Sequence, residues 1–280
     1  MTQHTIIGGG GARLHLVEAG DPRGPSILFL HGFSQCSLCW ERQLSSELAR
    51  RYRLVAMDLR GHGTSDRPLD GYDDSRLWAA DVDAAIDALE LDRPILCGWS
   101  YGPLVILDYI RHHGDERVGG VHFVDGLTKL GSEAALSALT PELLALVPGF
   151  FSDDATESGN ALRGLLALCF AHAPETADLY TMLGYNVSVP PFVRRALFSR
   201  AVDNDDLLPT ITVPVLITHG ALDRAVKPAA VERYRALLPN AQVDVVPGAG
   251  HAPFRDDAAS FNRRLAAFRD STAGRALAAP

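Results

Sequence analysis

The run Ile95-Leu96-Cys97-Gly98-Trp99-Ser100-Tyr101-Gly102 limits what this chain can fold into more than any other stretch. Its apolar start reads as a buried strand, and Leu104 to Arg111 reads as an apolar helix. The two must be joined by a very tight turn with Ser100 at its apex. Glycines two before and two after the serine permit the bend, because a Cβ at either position would collide with the neighbouring strand or helix. Such a bend lifts the hydroxyl clear of the sheet edge and leaves backbone amides at the helix N-terminus facing any oxyanion that forms there. Pro103 suits a first helical turn, where its missing N–H is not needed. An ordinary glycine-rich turn is the competing reading. A base and an orienting acid elsewhere in the chain would decide against it.

The surrounding chain alternates strand and helix. An N-terminal hairpin pairs Thr5–Ile7 with Arg13–Glu18 across the glycines at 8–11, where no phosphate-loop frame is completed. Apolar strands follow at Ser26–Leu30, Arg53–Met57 and Gly120–Asp125, with helices predicted from about Leu38 to Arg50 and over Ser75–Glu90. Alternation of this kind implies a parallel sheet covered on both faces. From Leu127 to about Asp206 only helical patterns appear, broken at Pro141, Pro148, Pro174 and Pro190-Pro191. The alternation then resumes with Val213–His219, a helix near Pro228–Leu238, Gln242–Val246 and a last helix near Ala258–Arg269, before a mobile tail at Ser271–Pro280. A core domain of residues 1–126 and 207–280 thus carries a helical insertion, 127–206, placed to act as a lid over the carboxyl ends of the strands.

Composition bounds the partners. The net charge of −8 speaks against a nucleic-acid backbone or an anionic membrane as the main partner. No apolar run reaches the ~18 residues of a membrane span, and Met1–Gly10 lacks the pattern of a secretory signal. A soluble, cytoplasmic protein is expected. Cys36-x-x-Cys39 has no second ligand pair, so Cys36, Cys39, Cys97 and Cys169 are read as packing residues, and no metal is expected.

Two residues downstream of Ser100 complete a set. Asp223 follows one buried strand and His251 follows the next, within Gly248-Ala249-Gly250-His251. A serine hydroxyl needs an imidazole to take its proton, and the imidazole needs a carboxylate to fix its tautomer and stabilise its cation. Nucleophile, acid and base in this order form one triad class. Asp125 is the rival acid, since it too ends a strand, but its loop does not lead to the strand before His251. His31 is the rival base and is read as holding the Gly32-Phe33 turn. His62 is read as structural, and His122 and His219 as core packing.

With these residues in place the chain resembles the α/β-hydrolase superfamily, near its serine esterase, perhydrolase-like and C–C-bond hydrolase branch. The resemblance spans about residues 12 to 269. It rests on His31-Gly32-Phe33, Asp58-Leu59-Arg60-Gly61-His62-Gly63-Thr64-Ser65, Gly98–Gly102, Gly220-Ala221-Leu222-Asp223 and Gly250-His251-Ala252-Pro253-Phe254. It implies a mostly parallel eight-stranded sheet flanked by helices, with a helical cap after the sixth strand. It also implies an oxyanion hole made by the amides of Phe33 and Tyr101. Pro103 departs from relatives that often carry glycine there. Relatives that open epoxides or haloalkanes place aspartate at the position of Ser100, so the serine points to an acyl-enzyme.

The expectation is therefore a cofactor-free serine hydrolase of an apolar or aryl ester or related acyl substrate. Ser100 is the nucleophile, His251 the base and Asp223 the orienter. His31, Trp99, Phe150, Phe170 and Tyr185 are assigned to the substrate pocket. The insertion also supplies Phe151, Tyr180, Phe192 and Phe198, and of all its aromatics a minority should face the cleft while the rest pack its helices. C–C hydrolysis of ring-cleavage diketones and perhydrolysis use the same residues, and a small-molecule receptor on this fold is the non-enzymatic alternative. A homodimer is left open.

Overall fold

A computed structural model describes residues 1–276. The strands are β1 (Thr2–Ile7), β2 (Arg13–Gly20), β3 (Ser26–Leu30), β4 (Arg53–Met57), β5 (Ile95–Trp99), β6 (Gly120–Val124), β7 (Lys129–Leu130), β8 (Val202–Asp203), β9 (Val215–Gly220) and β10 (Gln242–Val246). Eight of them form one sheet in the order β1-β2-β4-β3-β5-β6-β9-β10. The β1–β2 and β2–β4 pairs are antiparallel and all others parallel. All residues of β3, β5 and β6 are buried, as expected where helices cover both faces.

The period of two along each strand divides the core. Leu28, Leu30 and Leu96 face one apolar layer, shared with Trp78, Val82, Leu104 and Leu107. Ile27, Phe29, Ile95 and Cys97 face the other, shared with Phe261, Leu265 and Phe268. The helices covering these faces are α1 (Glu41–Leu44), α2 (Ser75–Ala88) and α3 (Gly102–His113) before the insertion. Within it lie α4 (Glu133–Ser137), α5 (Pro141–Phe150), α6 (Ala155–Cys169), α7 (Thr176–Val187) and α8 (Pro191–Phe198). After it come α9 (Ala230–Leu237), α10 (Pro253–Asp256) and α11 (Ala258–Ala276). Among the described residues no helix is long and apolar enough to cross a membrane.

Several boundaries differ from the sequence reading. The helix expected over Leu38–Arg50 is three short pieces: a 3-10 turn at Ser37–Trp40, α1, and a second 3-10 turn at Glu47–Arg50. Ser45 Oγ donates to the Glu41 carbonyl, and Ser46 Oγ accepts from the Leu48 amide, so two hydroxyls compete with the helical bonds. Pro148 does not break α5 but sits near its end, and the helix stops two residues later. The insertion is not wholly helical, because β7 and β8 pair antiparallel (Lys129 with Asp203, Leu130 with Val202) and close its base. The last helix runs on to Ala276, through most of the stretch read as a tail, and 277–280 lie outside the described residues.

Candidate active site

Every parallel strand ends at the same edge of the sheet, which brings the loops after β3, β5, β6, β9 and β10 together. Ser100 follows β5 directly, with φ 56°. A non-glycine residue in this left-handed region is uncommon and costs on the order of 1 kcal/mol. Tight packing enforces it. A Cβ on Gly98 would stand 2.7 Å from the Gly102 carbonyl carbon, and one on Gly102 would stand 2.5 Å from the Leu30 oxygen. The Ser100 amide donates to the Val124 carbonyl at 2.9 Å, and its own carbonyl accepts from Leu127 at 3.1 Å. The apex is thus fixed by its backbone while the side chain stays half-buried.

The Gly32-Phe33 turn lies against this apex, since a Cβ on Gly32 would meet the Ser100 Cβ at 3.1 Å. The turn closes through Gln35 N–H to the Gly32 carbonyl at 3.3 Å, with Ser34 at φ 60°. Behind it, His31 Nε2 accepts from the Leu59 amide at 3.0 Å, so Nδ1 carries the hydrogen and donates to the Gly32 carbonyl at 2.8 Å. Burial lowers the His31 pKa to about 4, which keeps that tautomer neutral.

His251 Nδ1 donates to Asp223 Oδ2 at 2.7 Å. The other Asp223 oxygen accepts from the amides of Ala225 and Val226 at 2.7 and 3.0 Å. Burial works to raise the Asp223 carboxyl, but the charge and hydrogen bond of His251 outweigh it and hold it below the usual range. The His251 carbonyl accepts from Trp99 Nε1 at 2.6 Å, which fixes the loop that carries His251. Ser100 and His251 border one cavity, also walled by Phe33, Tyr101, Leu143 and Phe150. Their side chains are not hydrogen-bonded to each other here, a contact that substrate binding commonly tightens.

Of the five residues assigned to the pocket, Phe150 lines this cavity and the others do not. Both ring nitrogens of His31 are spent on the backbone. Trp99 packs on Phe254 at 4.9 Å and on the His251 ring at 5.6 Å between ring centroids. Phe170 follows α6 and supports the base loop, for a Cβ on Gly250 would lie 2.9 Å from its carbonyl carbon. Tyr185 is turned toward Cys39 and Cys36. Burial first, then those sulfurs, push its hydroxyl well above the ordinary range. Phe198 reaches the cavity, and the remaining wall is Leu127, Leu130, Leu139, Leu165, Ala225 and Val226. No periodicity in the sequence singles these out, because one leucine of an amphipathic helix looks like the next.

Two further residues stand behind the acid. His219, read as core packing, places Nε2 3.4 Å from Asp223 Oδ2 and 3.3 Å from the Val226 carbonyl. Asp125 ends β6, as expected of the rival acid, and its Oδ1 accepts the Gly220 amide at 2.8 Å. Burial and the Asp223 charge push the Asp125 carboxyl well above the usual range. Asp125, His219 and Asp223 have the spacing of metal ligands, but both Asp223 oxygens already accept hydrogen bonds from His251 and two amides. Cys36 and Cys39 are buried free thiols. Burial pushes Cys36 up to about 12 and Cys39 well above its ordinary value, which disfavours the thiolates a metal needs.

Known proteins share this fold. An esterase from Rhodococcus sp. ECU1013 is 37% identical, with a TM-score of 0.92 over 97% of this chain and 100% of that one. A putative aryl esterase from Burkholderia cenocepacia is 32% identical, with a TM-score of 0.91 over 98% and 100%. A non-heme chloroperoxidase of Streptomyces lividans is 29% identical over 292 residues, 94% of this chain and 98% of its own. A profile of the alpha/beta hydrolase fold matches residues 25–258. With a match of that extent, the chain belongs to the α/β-hydrolase family and is an enzyme of that class.

Proposed function

We propose that the chain hydrolyses carboxylic esters with apolar acyl groups through an acyl-enzyme. The observation that carries this reading is the 2.7 Å contact between His251 and Asp223, beside a serine held at φ 56° and facing the same cavity. Ser100 Oγ attacks the ester carbonyl as His251 Nε2 takes its proton. The carbonyl oxygen becomes an oxyanion facing the amides of Phe33 and Tyr101, neither of which is used by another backbone carbonyl. Collapse expels the alcohol, which receives the proton from His251. Water then repeats the sequence, with His251 as base, to release the acid and restore Ser100.

The walls favour a neutral acyl group. Apart from Ser100, His251 and the ring hydroxyl of Tyr101, every side chain bordering the cavity is apolar. A charged diketone would find no side-chain partner there, so ester cleavage is favoured over C–C hydrolysis. The helical insertion, residues 127–206, supplies Phe150, Leu143 and Phe198 and serves as the cap of this site. Perhydrolysis is the second reading, favoured by the likeness to the Streptomyces lividans protein, with peroxide replacing water at the acyl-enzyme. Ser100→Ala should abolish turnover of p-nitrophenyl butyrate while leaving circular dichroism unchanged. Undiminished turnover in that variant contradicts the mechanism. Added peroxide that diverts acyl product from acid to peracid would establish the second reading.

A further inference from the structure

We propose that Asn186 and Arg200, both contributed by the helical insertion, are positioning residues for the two oxyanion amides. The insertion is then part of the catalytic centre as well as its cover. The inference rests on the serine-hydrolase reading above and assigns a role to residues that reading does not use.

The Phe33 side of the hole is a strained turn held from above. Ser34, at φ 60°, is fully buried, and a turn with that residue in the left-handed region needs outside support. The support is one residue on α7. Ser34 Oγ donates to the Asn186 carbonyl at 3.1 Å, and Gln35 Nε2 donates to Asn186 Oδ1 at 3.3 Å. Asn186 is itself locked, because its Nδ2 donates to the Met182 carbonyl at 2.8 Å and the residue has no exposure. The Phe33 ring is flanked by two more residues of the insertion, Phe150 at 5.4 Å and Phe198 at 4.9 Å between centroids.

The Tyr101 side is held in the same manner by the insertion's other end. Arg200, between α8 and β8, sends Nη1 to Tyr101 Oη at 3.1 Å and Nη2 to Asp108 Oδ2 at 2.7 Å on α3. The guanidinium lies over the rings of Trp78 and Tyr101, at 5.3 and 5.9 Å from their centroids. It thereby fixes how α3 and the residue at its N-terminus are turned. Oxyanion donors act only when they stand within about 2.7–3.1 Å of the developing charge, and removing one costs about 10²–10³ in kcat. Groups that aim both donors therefore act on the transition state and leave the ground-state pocket largely untouched.

Asn186→Leu removes the bond from Gln35 while the main-chain carbonyl still accepts from Ser34, Tyr101→Phe removes the bond from Arg200, and Arg200→Lys keeps the charge but not the fork. With p-nitrophenyl butyrate, each should lower kcat by about 10- to 100-fold, with KM held within about threefold. The midpoint of the pH–rate profile should not move, because the His251–Asp223 contact is untouched. A butyl boronic acid, whose tetrahedral adduct on Ser100 occupies the oxyanion position, should lose affinity in step with kcat/KM. Should Asn186→Leu not fold, Gln35→Met breaks the same bond from the other side and carries the same expectation. Folded variants with wild-type kcat, or with boronate affinity unchanged while kcat falls, overturn the proposal. Wild-type protein that a fluorophosphonate fails to label at Ser100 would instead overturn the hydrolase reading and this inference with it.

Discussion

At the scale of residues, two carboxylates stand at the carboxyl edge and only one of them faces the imidazole of His251. Asp125 and Asp223 lie in the loops after β6 and β9 and both are buried, yet only Asp223 meets His251. Burial and the Asp223 charge push the Asp125 carboxyl well above the usual range, and its Oδ1 is taken up by the Gly220 amide. Asp125→Asn should leave kcat/KM within about threefold, because the amide oxygen still accepts from Gly220 and the contact between His251 and Asp223 is untouched. Asp223→Asn should lower kcat by about 10³-fold or more, since an amide donor at Nδ1 forces the hydrogen onto Nε2, where the base must be free. Steady-state kinetics on the two variants checks this, and equal losses would contradict it. The placement of Ser100, Asp223 and His251 was legible in the sequence because each follows a strand of the alternating pattern. His219 was not, because an imidazole inside the apolar run Val215–Gly220 looks the same whether or not a carboxylate lies four residues on.

At the scale of elements, short loops after the strands hold strain that regular structure over-determines. Ser34, Ser100 and Asp125 all have positive φ and all lie at the carboxyl edge. The loop after β4 is braced by Asp58, whose Oδ1 accepts from the Ser37 amide at 2.6 Å and whose Oδ2 accepts from Thr64 at 2.9 Å and His15 at 3.1 Å. Burial acts to raise this carboxyl, but the His15 bond and the two amides outweigh it and hold it at about 2, against 3.8 for a free aspartate. A depressed carboxyl contributes stability that is complete above the unfolded value and is lost as pH falls through the folded one. At about 1.4 kcal/mol per pH unit the contribution is about 2 kcal/mol, lost between about pH 4 and 2. The gap in urea midpoint between wild type and Asp58→Asn should therefore narrow over that range, and a constant gap would contradict the assignment. Strand positions were readable from apolar runs of five. The broken helix at Ser37–Arg50 was not, because its serines act through side-chain bonds that depend on the final backbone.

At the scale of the whole molecule, the sheet brings the loops after its parallel strands to one edge, and Leu143, Phe150 and Phe198 from between β6 and β9 border the cavity there. The alternation of strand and helix already implied the mostly parallel sheet. The β7–β8 ribbon did not show, because strands of two residues carry no period. The attachments of Asn186 and Arg200 were equally hidden, since they join residues about 90 to 150 positions apart whose meeting depends on how the insertion packs. The central claim is that Ser100 carries the acyl group during turnover. Mixing enzyme with p-nitrophenyl butyrate and quenching within milliseconds tests it most directly, with the peptide containing Ser100 weighed by mass spectrometry. The expected result is a butyryl adduct on Ser100 that appears with the first nitrophenol released and decays with steady-state turnover. Turnover with Ser100 unmodified, or with the adduct on another residue, would contradict it.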